Sequence, residues 1–265
     1  MHSVSELSQP PSDGITATVF ANHSNNLLAT SWDETVRYYN VNDDRLLQKF
    51  DLNTAVLDGA LAPDDKKAYV GCLNGIIYMI DFTSGEVREL GCHGKELESS
   101  GIKCIEYCHA SKLFVSAGWD QKMKLWDPRA MNACANSINL KGRAYSMSIS
   151  GNRIVLATSG RYVTIHDIRK IATPEQVRES SLQNMLRIVR CFPNGHGYAV
   201  GSCEGRIAIE YFDVSEQIQR KKYAFKAHRK VESGRQIMYP INALAFHPKY
   251  VLSYNCLVTD FRCIK

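Results

Sequence analysis

Nothing in this sequence approaches the run of roughly 18 apolar residues that a membrane-crossing helix needs. The opening residues, MHSVSELSQPPSDG, also lack the basic and apolar segments of a secretory leader. The expected location is the nucleus or cytoplasm, with no membrane partner. No C-x-x-C pair occurs among the nine cysteines, which read as reduced thiols acting as small hydrophobes. Cys104 and Cys108 have His93 and His109 nearby, yet their spacing matches no zinc pattern and no metal ligand is expected. Gly-rich phosphate loops and nucleophile motifs are missing too, so the sequence points to no catalytic residue, no cofactor and no enzyme. A strong excess of either charge is likewise absent. The net charge of +5 is too mild for a surface that attracts nucleic acid as a whole.

What the sequence does have is a period. Strands ending in Asp or Asn close at Asn40 (RYYN), Asp81 (IYMID), Asp127 (MKLWD), Asp167 (TIHD) and Asp213 (IEYFD), at gaps of 41, 46, 40 and 46 residues. A spacing of about 40 to 45 residues is that of a WD-repeat blade, a sheet of four strands. A second marker keeps step upstream of each: Asp33 in SWDETV, Asn74 in CLNGII, Asp120 in GWDQKM, Arg161 in TSGRYV and Glu204 in SCEGRI. An Asp or Asn side chain there can bind nearby backbone N–H groups and hold a tight turn. For Asp33, Asn74 and Asp120 the reading is therefore structural, while Arg161 and Glu204 require other local contacts.

Each unit opens with an apolar stretch suited to a buried inner strand, from GITATVF at Gly14 to INALAFHP at Ile241. Alternating, β-branched and aromatic segments bounded by Gly, Pro, Asn and Asp follow. The expected fold is all-β: a WD-repeat β-propeller with five complete blades and the first strand of a sixth. Three long connections interrupt the spacing. Gly91–Gly101 reads as a flexible polar loop, 170–186 as an outer strand with an excursion, and 228–240 as a link into the sixth unit. The basic excess is local, in RKKYAFKAHRK from Arg220 to Lys230. Such a run is either a solvated strand and loop or a receptor for an acidic or phosphorylated peptide.

Several strings are not generic to WD repeats. TSWDETVRYYNV, IKCIEYC, AGWDQKMKLWDPR, RESSL, GSCEGRIAIEYFD, KKYAFKAHR and YPINALAFHP together resemble the mitotic checkpoint WD-repeat proteins of the Bub-three type, over nearly all of residues 8 to 250. A sister family, the Rae or Gle-two messenger-RNA export factors, shares the EGR and FKxHR elements. The resemblance implies a non-enzymatic adaptor of the spindle checkpoint, found in the nucleus and cytoplasm and at kinetochores in mitosis. Its expected partners are GLEBS peptides of Bub-type checkpoint kinases and phosphorylated MELT repeats of a kinetochore scaffold. The export family supplies the alternative, an adaptor for a nucleoporin GLEBS peptide.

Residue by residue, the resemblance points to Trp32 and Trp119 as exposed anchors and to Arg187 and Arg190 as contacts for acidic GLEBS residues. Lys221, Lys222 and Lys226 would lie near the phosphopeptide. Trp and Arg dominate interface hot spots, and a Trp in a tight turn has no core to enter. Trp126, at the strand end, is expected to pack between blades. Arg187 and Arg190 are three apart on a strand, on opposite faces, which favours Arg187. The family closes a ring of seven blades, whereas this repeat stops at Tyr250. The reading is thus a partial propeller over 1–250 and an atypical tail over 251–265. An open array is expected to leave strand edges exposed and Ser3 to Gln9 without pairing partners.

Overall fold

The computed structural model describes residues 7–94, 100–130, 133–232 and 234–246; the chain forms two compact units, Met1–Ser137 and Ile138–Lys265. In the first unit, β1 (Ile15–Phe20), β2 (Asn26–Ser31), β3 (Thr35–Asn40) and β4 (Arg45–Asp51) form one antiparallel sheet in sequence order. The second sheet repeats the order with β5 (Val56–Leu61), β6 (Lys67–Cys72), β7 (Ile76–Asp81) and β8 (Val87–Cys92). So does the third, with β9 (Ile102–Cys108), β10 (Leu113–Gly118), β11 (Lys122–Trp126) and β12 (Cys134–Asn139). In the second unit the fourth sheet holds β13 (Ala144–Ser150), β14 (Arg153–Thr158), β15 (Tyr162–Asp167) and β16 (Gln176–Glu179). The fifth holds β17 (Leu186–Cys191), β18 (Gly197–Ser202), β19 (Arg206–Tyr211) and β20 (Tyr223–Lys226), with a one-turn helix, α1 (Glu216–Gln219), between its last two strands.

The periodic Asp or Asn has a single job. The side-chain oxygen of Asp81 accepts from the N–H of Thr83 at 2.9 Å, Asp127 from Arg129 at 3.0 Å, Asp167 from Arg169 at 2.9 Å and Asp213 from Ser215 at 2.8 Å. Asn40 does the same for Asn42 at 3.0 Å. Each closes the turn two residues on, the mimic of a backbone turn that Asx residues provide. Guanidinium hydrogen bonds from Arg169 hold the Asp167 carboxyl down at about 2. The upstream marker works likewise: Asp33, Asn74 and Asp120 accept from the N–H groups of Thr35, Ile76 and Lys122. Arg161 instead adopts φ +66° and binds Glu179 and the Leu182 carbonyl, as its departure from the pattern requires.

Within each unit, neighbouring sheets pack face to face. Tyr38 of β3 stacks on Phe82 at 4.1 Å between the first and second sheets, and Tyr69 of β6 on Phe114 of β10 at 4.5 Å between the second and third. Trp126, 1% exposed, extends that stack and meets Gly91 of β8, as expected of a residue packed between blades. In the second unit Val155, Val163 and Ile165 bury against Leu186, Val189 and Tyr198. The inner strands are sheet edges, and side chains bridge them. Thr16 Oγ1 donates to the Val56 carbonyl at 2.6 Å, and Asp58 Oδ2 accepts from Ile105 N–H at 2.9 Å. Ser146 and Ser148 accept from Val189 and Cys191 N–H, both at 3.0 Å. Backbone groups that an edge would leave open are thereby paired.

Four local expectations change. The polar loop from Gly91 begins inside β8, and His93 is 2% exposed rather than mobile. The link after the basic run contains a hairpin, β21 (Arg229–Glu232) and β22 (Arg235–Met238), turning at Gly234 with φ +73°. The sixth unit's first segment forms no strand pairing among the described residues. It lies along the fifth sheet, with Ile241 N–H donating to Ser202 at 3.1 Å and Ile241 and Leu244 buried. Leu7, Ser8 and Gln9 are held rather than loose. Leu7 packs on Leu27, Ala29 and Tyr39, Ser8 binds Asp44, and the Gln9 carbonyl accepts from Arg37 and Tyr39. The rest of the Ser3–Gln9 expectation, and the 251–265 tail, lie outside the described residues.

Candidate peptide-binding site

The turn between second and third strands sits at one end of every sheet, beside the start of the inner strand. Trp32 occupies it in the first sheet: its backbone N–H donates to the Gly14 carbonyl at 3.0 Å and the residue is 43% exposed. Behind it, burial pushes the Asp33 carboxyl up, but hydrogen bonds from Thr35, Ser12 and Ser31 outweigh that and hold it below the usual range. Asp33 also pairs with Arg37 at 3.2 Å, so the turn carrying Trp32 is fixed from both sides. Trp119 occupies the same turn of the third sheet, its N–H donating to Gly101 at 2.8 Å. It is half-buried, its ring lying so close over Gly101 that an added Cβ would stand 2.8 Å from it.

A hydrogen-bond chain anchors the Trp119 turn. Trp126 Nε1 donates to Ser116 Oγ at 2.8 Å, that hydroxyl meets His93 Nε2 at 2.6 Å, and His93 Nδ1 meets Asp120 at 3.1 Å. Every link is satisfied by a neutral imidazole that carries its proton on Nδ1. Burial lowers the His93 pKa, and the Asp120 carboxylate only partly offsets that. The burial of His93 is not legible in the sequence because a histidine beside a glycine at the start of a polar stretch gives no sign of it.

In the second unit the turn end is basic. Arg187, exposed at the start of β17, donates to Asn242 Oδ1 at 3.0 Å. Arg206 pairs in register with Lys226 across β19 and β20, which brings both to the same end. Arg229 reaches the Glu204 carbonyl in the adjoining turn at 3.2 Å. Arg229 belongs to the basic run noted in the sequence, whereas Arg206 does not; the register between EGR and YAFK is what sets Arg206 beside Lys226. Arg206 is only loosely balanced by Glu204, at 3.8 Å.

The remaining expected residues lie elsewhere. Arg190 turns its guanidinium onto the carbonyls of Met147 and Val189, at 3.0 and 3.1 Å, and ties β13 to β17. Lys221 and Lys222 follow α1, at the opposite end of β20 from Lys226. Lys221 is exposed, while the Lys222 ammonium sits 2.8 Å from the buried Glu210 carboxylate. Among the described residues no cluster of His, Cys, Asp and Glu could hold a metal ion, and no helix is long and apolar enough to cross a membrane.

Four-stranded antiparallel sheets with Asx-closed turns and aromatic or basic turn ends define a WD-repeat β-propeller protein. The family model "WD domain, G-beta repeat" matches residues 2–40 and 85–127. The chain is 46% identical over 249 residues to the mitotic checkpoint protein BUB3.1 of Arabidopsis thaliana, covering 92% of this chain and 72% of that one. It is 40% identical over 247 residues to mitotic checkpoint protein bub3 of Dictyostelium discoideum, covering 92% and 73%. The mRNA export factor GLE2 of Chaetomium thermophilum is 28% identical over 257 residues, covering 92% and 69%. The chain belongs to the BUB3 family of mitotic checkpoint WD-repeat proteins.

Proposed function

We propose that this chain is a non-enzymatic adaptor of the spindle assembly checkpoint, acting at kinetochores in mitosis and otherwise nuclear and cytoplasmic. It holds GLEBS peptides of Bub-type kinases and phosphorylated MELT repeats of a kinetochore scaffold. The observation that carries the reading is the cationic turn end of the fifth sheet, where Arg206 pairs with Lys226 and Arg187 lies at the start of β17 at the same end. Guanidinium and ammonium groups so placed form charge-assisted hydrogen bonds with carboxylates and phosphates. Exposed Trp32 and half-buried Trp119 supply aromatic anchors of the kind that dominate binding energy. The phosphopeptide is met by the ammonium groups of Lys226 at the turn end and of Lys221 at the opposite end of β20, since Lys222 is paired with Glu210.

Titration calorimetry with a GLEBS peptide tests this. Arg187→Glu and Trp119→Ala should each weaken binding at least about ten-fold, and unchanged affinity for both would remove the proposed surface. The likeness to an export factor supports a second reading, a nuclear-pore adaptor, which also takes a GLEBS peptide. A phosphorylated MELT peptide separates the two. Preference for it over the unphosphorylated peptide supports the checkpoint role, and equal binding supports the export role.

A further inference from the structure

The loop between β15 and β16 carries a hydroxyl that neither the core nor the peptide site uses. Of the eight prolines in the chain, Pro174 alone follows a serine or threonine, Thr173. Residues 172–175 are all exposed, at a bend between the one-turn 3-10 helix Ile168–Lys170 and β16. The Thr173 hydroxyl makes no hydrogen bond among the described residues. A proline next in the chain biases the Thr173 backbone away from the helical region and toward the extended one. Both flanks are anchored. Ile171 is 5% exposed and its carbonyl accepts from His166 Nδ1 at 3.3 Å, while Glu175 pairs with Arg153 at 2.9 Å. Thr173 is thus presented on a short span between two fixed points.

A free hydroxyl on an exposed segment, followed by a residue with no N–H to donate, is the substrate form that a proline-directed protein kinase takes. We infer that Thr173 is a phosphorylation site for a kinase of that class, its phosphate met by Lys170 and Arg153. The hydroxyl oxygen attacks the γ-phosphorus of a nucleoside triphosphate and the bond to the bridging oxygen breaks. The nucleoside diphosphate leaves, and the hydroxyl proton passes to the kinase's carboxylate base. The product carries about 1.5 to 2 negative charges at neutral pH. Cations to receive it are at hand. Lys170, three residues back and exposed, makes no ion pair among the described residues. Arg153, at the start of β14, already reaches this loop through Glu175. A phosphate there forms stronger charge-assisted hydrogen bonds with a guanidinium than the single carboxylate does. Arg161 precedes β15 at the turn end and Thr173 follows it at the far end. The modification therefore adds an anionic group away from the tryptophans and the turn-end cations, and it stands or falls apart from the peptide-binding reading.

The test incubates the full chain with ATP and either a cyclin-dependent kinase, which is proline-directed, or an acidophilic kinase, and reads the intact mass and the fragment that carries phosphate. The cyclin-dependent kinase should add one phosphate, at Thr173, and the acidophilic kinase none there. Thr173→Val should abolish the addition, and Pro174→Ala should slow it at least about ten-fold. Both positions are exposed, so both variants should melt as the parent does. In the phosphorylated chain, phosphorus NMR should find the second phosphate pKa below its value in a free phosphopeptide of residues 169–178, and Arg153→Gln with Lys170→Gln should raise it again. A folded chain left unmodified, phosphate only at other residues, or equal rates in Pro174→Ala would each overturn the site. A phosphate titrating as in the free peptide would overturn its pairing with Lys170 and Arg153.

Discussion

Lys221 and Lys222 are neighbours in sequence with opposite surroundings. Lys221 is exposed after α1, whereas Lys222 neutralises a carboxylate that β19 buries. Lys222→Ala leaves Glu210 with Arg178 alone, at 3.8 Å. With the lysine partly in water, the expected loss is about 1–2 kcal/mol, or a melting temperature lower by roughly 2–8 °C. Lys221→Ala should leave the melt unchanged and lower the preference for a phosphorylated MELT peptide. Paired melts and peptide titrations check both halves; the reverse pattern would exchange the roles of the two lysines.

His93 sets a pH dependence at the same scale. Its pKa is lowered by burial, so between the folded and unfolded values the unfolded chain holds more protons. Stability is therefore full above about pH 6.5 and declines as pH falls below it. His166, buried and shifted in the same direction, adds to the same slope. The melting temperature should fall as pH drops from about 7.5 to 5.5, and His93→Gln should flatten that dependence without erasing it. An unchanged slope in the variant would mean that the imidazole already takes up its proton in the folded chain.

At the scale of elements, the strands and their turns were legible because period and turn chemistry are both local. Asp81, Asp127, Asp167 and Asp213 announce the closing turn in the residue itself. What depends on packing was hidden. Nothing in HGK shows that His93 is enclosed, and nothing in HRKVESGRQIMYP sets the register of β21 with β22, since neither strand alternates clearly between apolar and polar. Of the candidate site, Trp32, Trp119 and Arg187 could be read from strings, but Arg206 joins Lys226 only through the pairing of β19 with β20. The segment from Ile241 carries a strand's composition, yet it meets the fifth sheet through side-chain packing and the hydrogen bond from Ile241 N–H to the Ser202 carbonyl rather than through a ladder. It packs over Gly201, where an added Cβ would stand 2.7 Å from Ile241 and 2.8 Å from Ile188. Gly201→Ala is therefore expected to cost about 1–3 kcal/mol through overpacking, read as a lower denaturant midpoint at unchanged slope. A neutral result would show that Ile241 can withdraw from the sheet.

Over the whole chain, the four-stranded sheets are built from consecutive segments, each strand pairing with its neighbours in sequence. Within each unit, inner-strand side chains then stitch one sheet to the next: Thr16 reaches Val56, Asp58 reaches Ile105, and Ser146 reaches Val189. The longest of these links spans 47 residues, Asp58 to Ile105, about one repeat. Sequential pairing of this kind keeps loop-closure entropy small and folding fast for a β-rich chain. During synthesis at about 5–20 residues per second, each sheet has all its partners within a few seconds of its first strand leaving the ribosome. Because the Asx turn needs only a residue and the N–H two places on, each hairpin closed by one carries its own starting point for assembly.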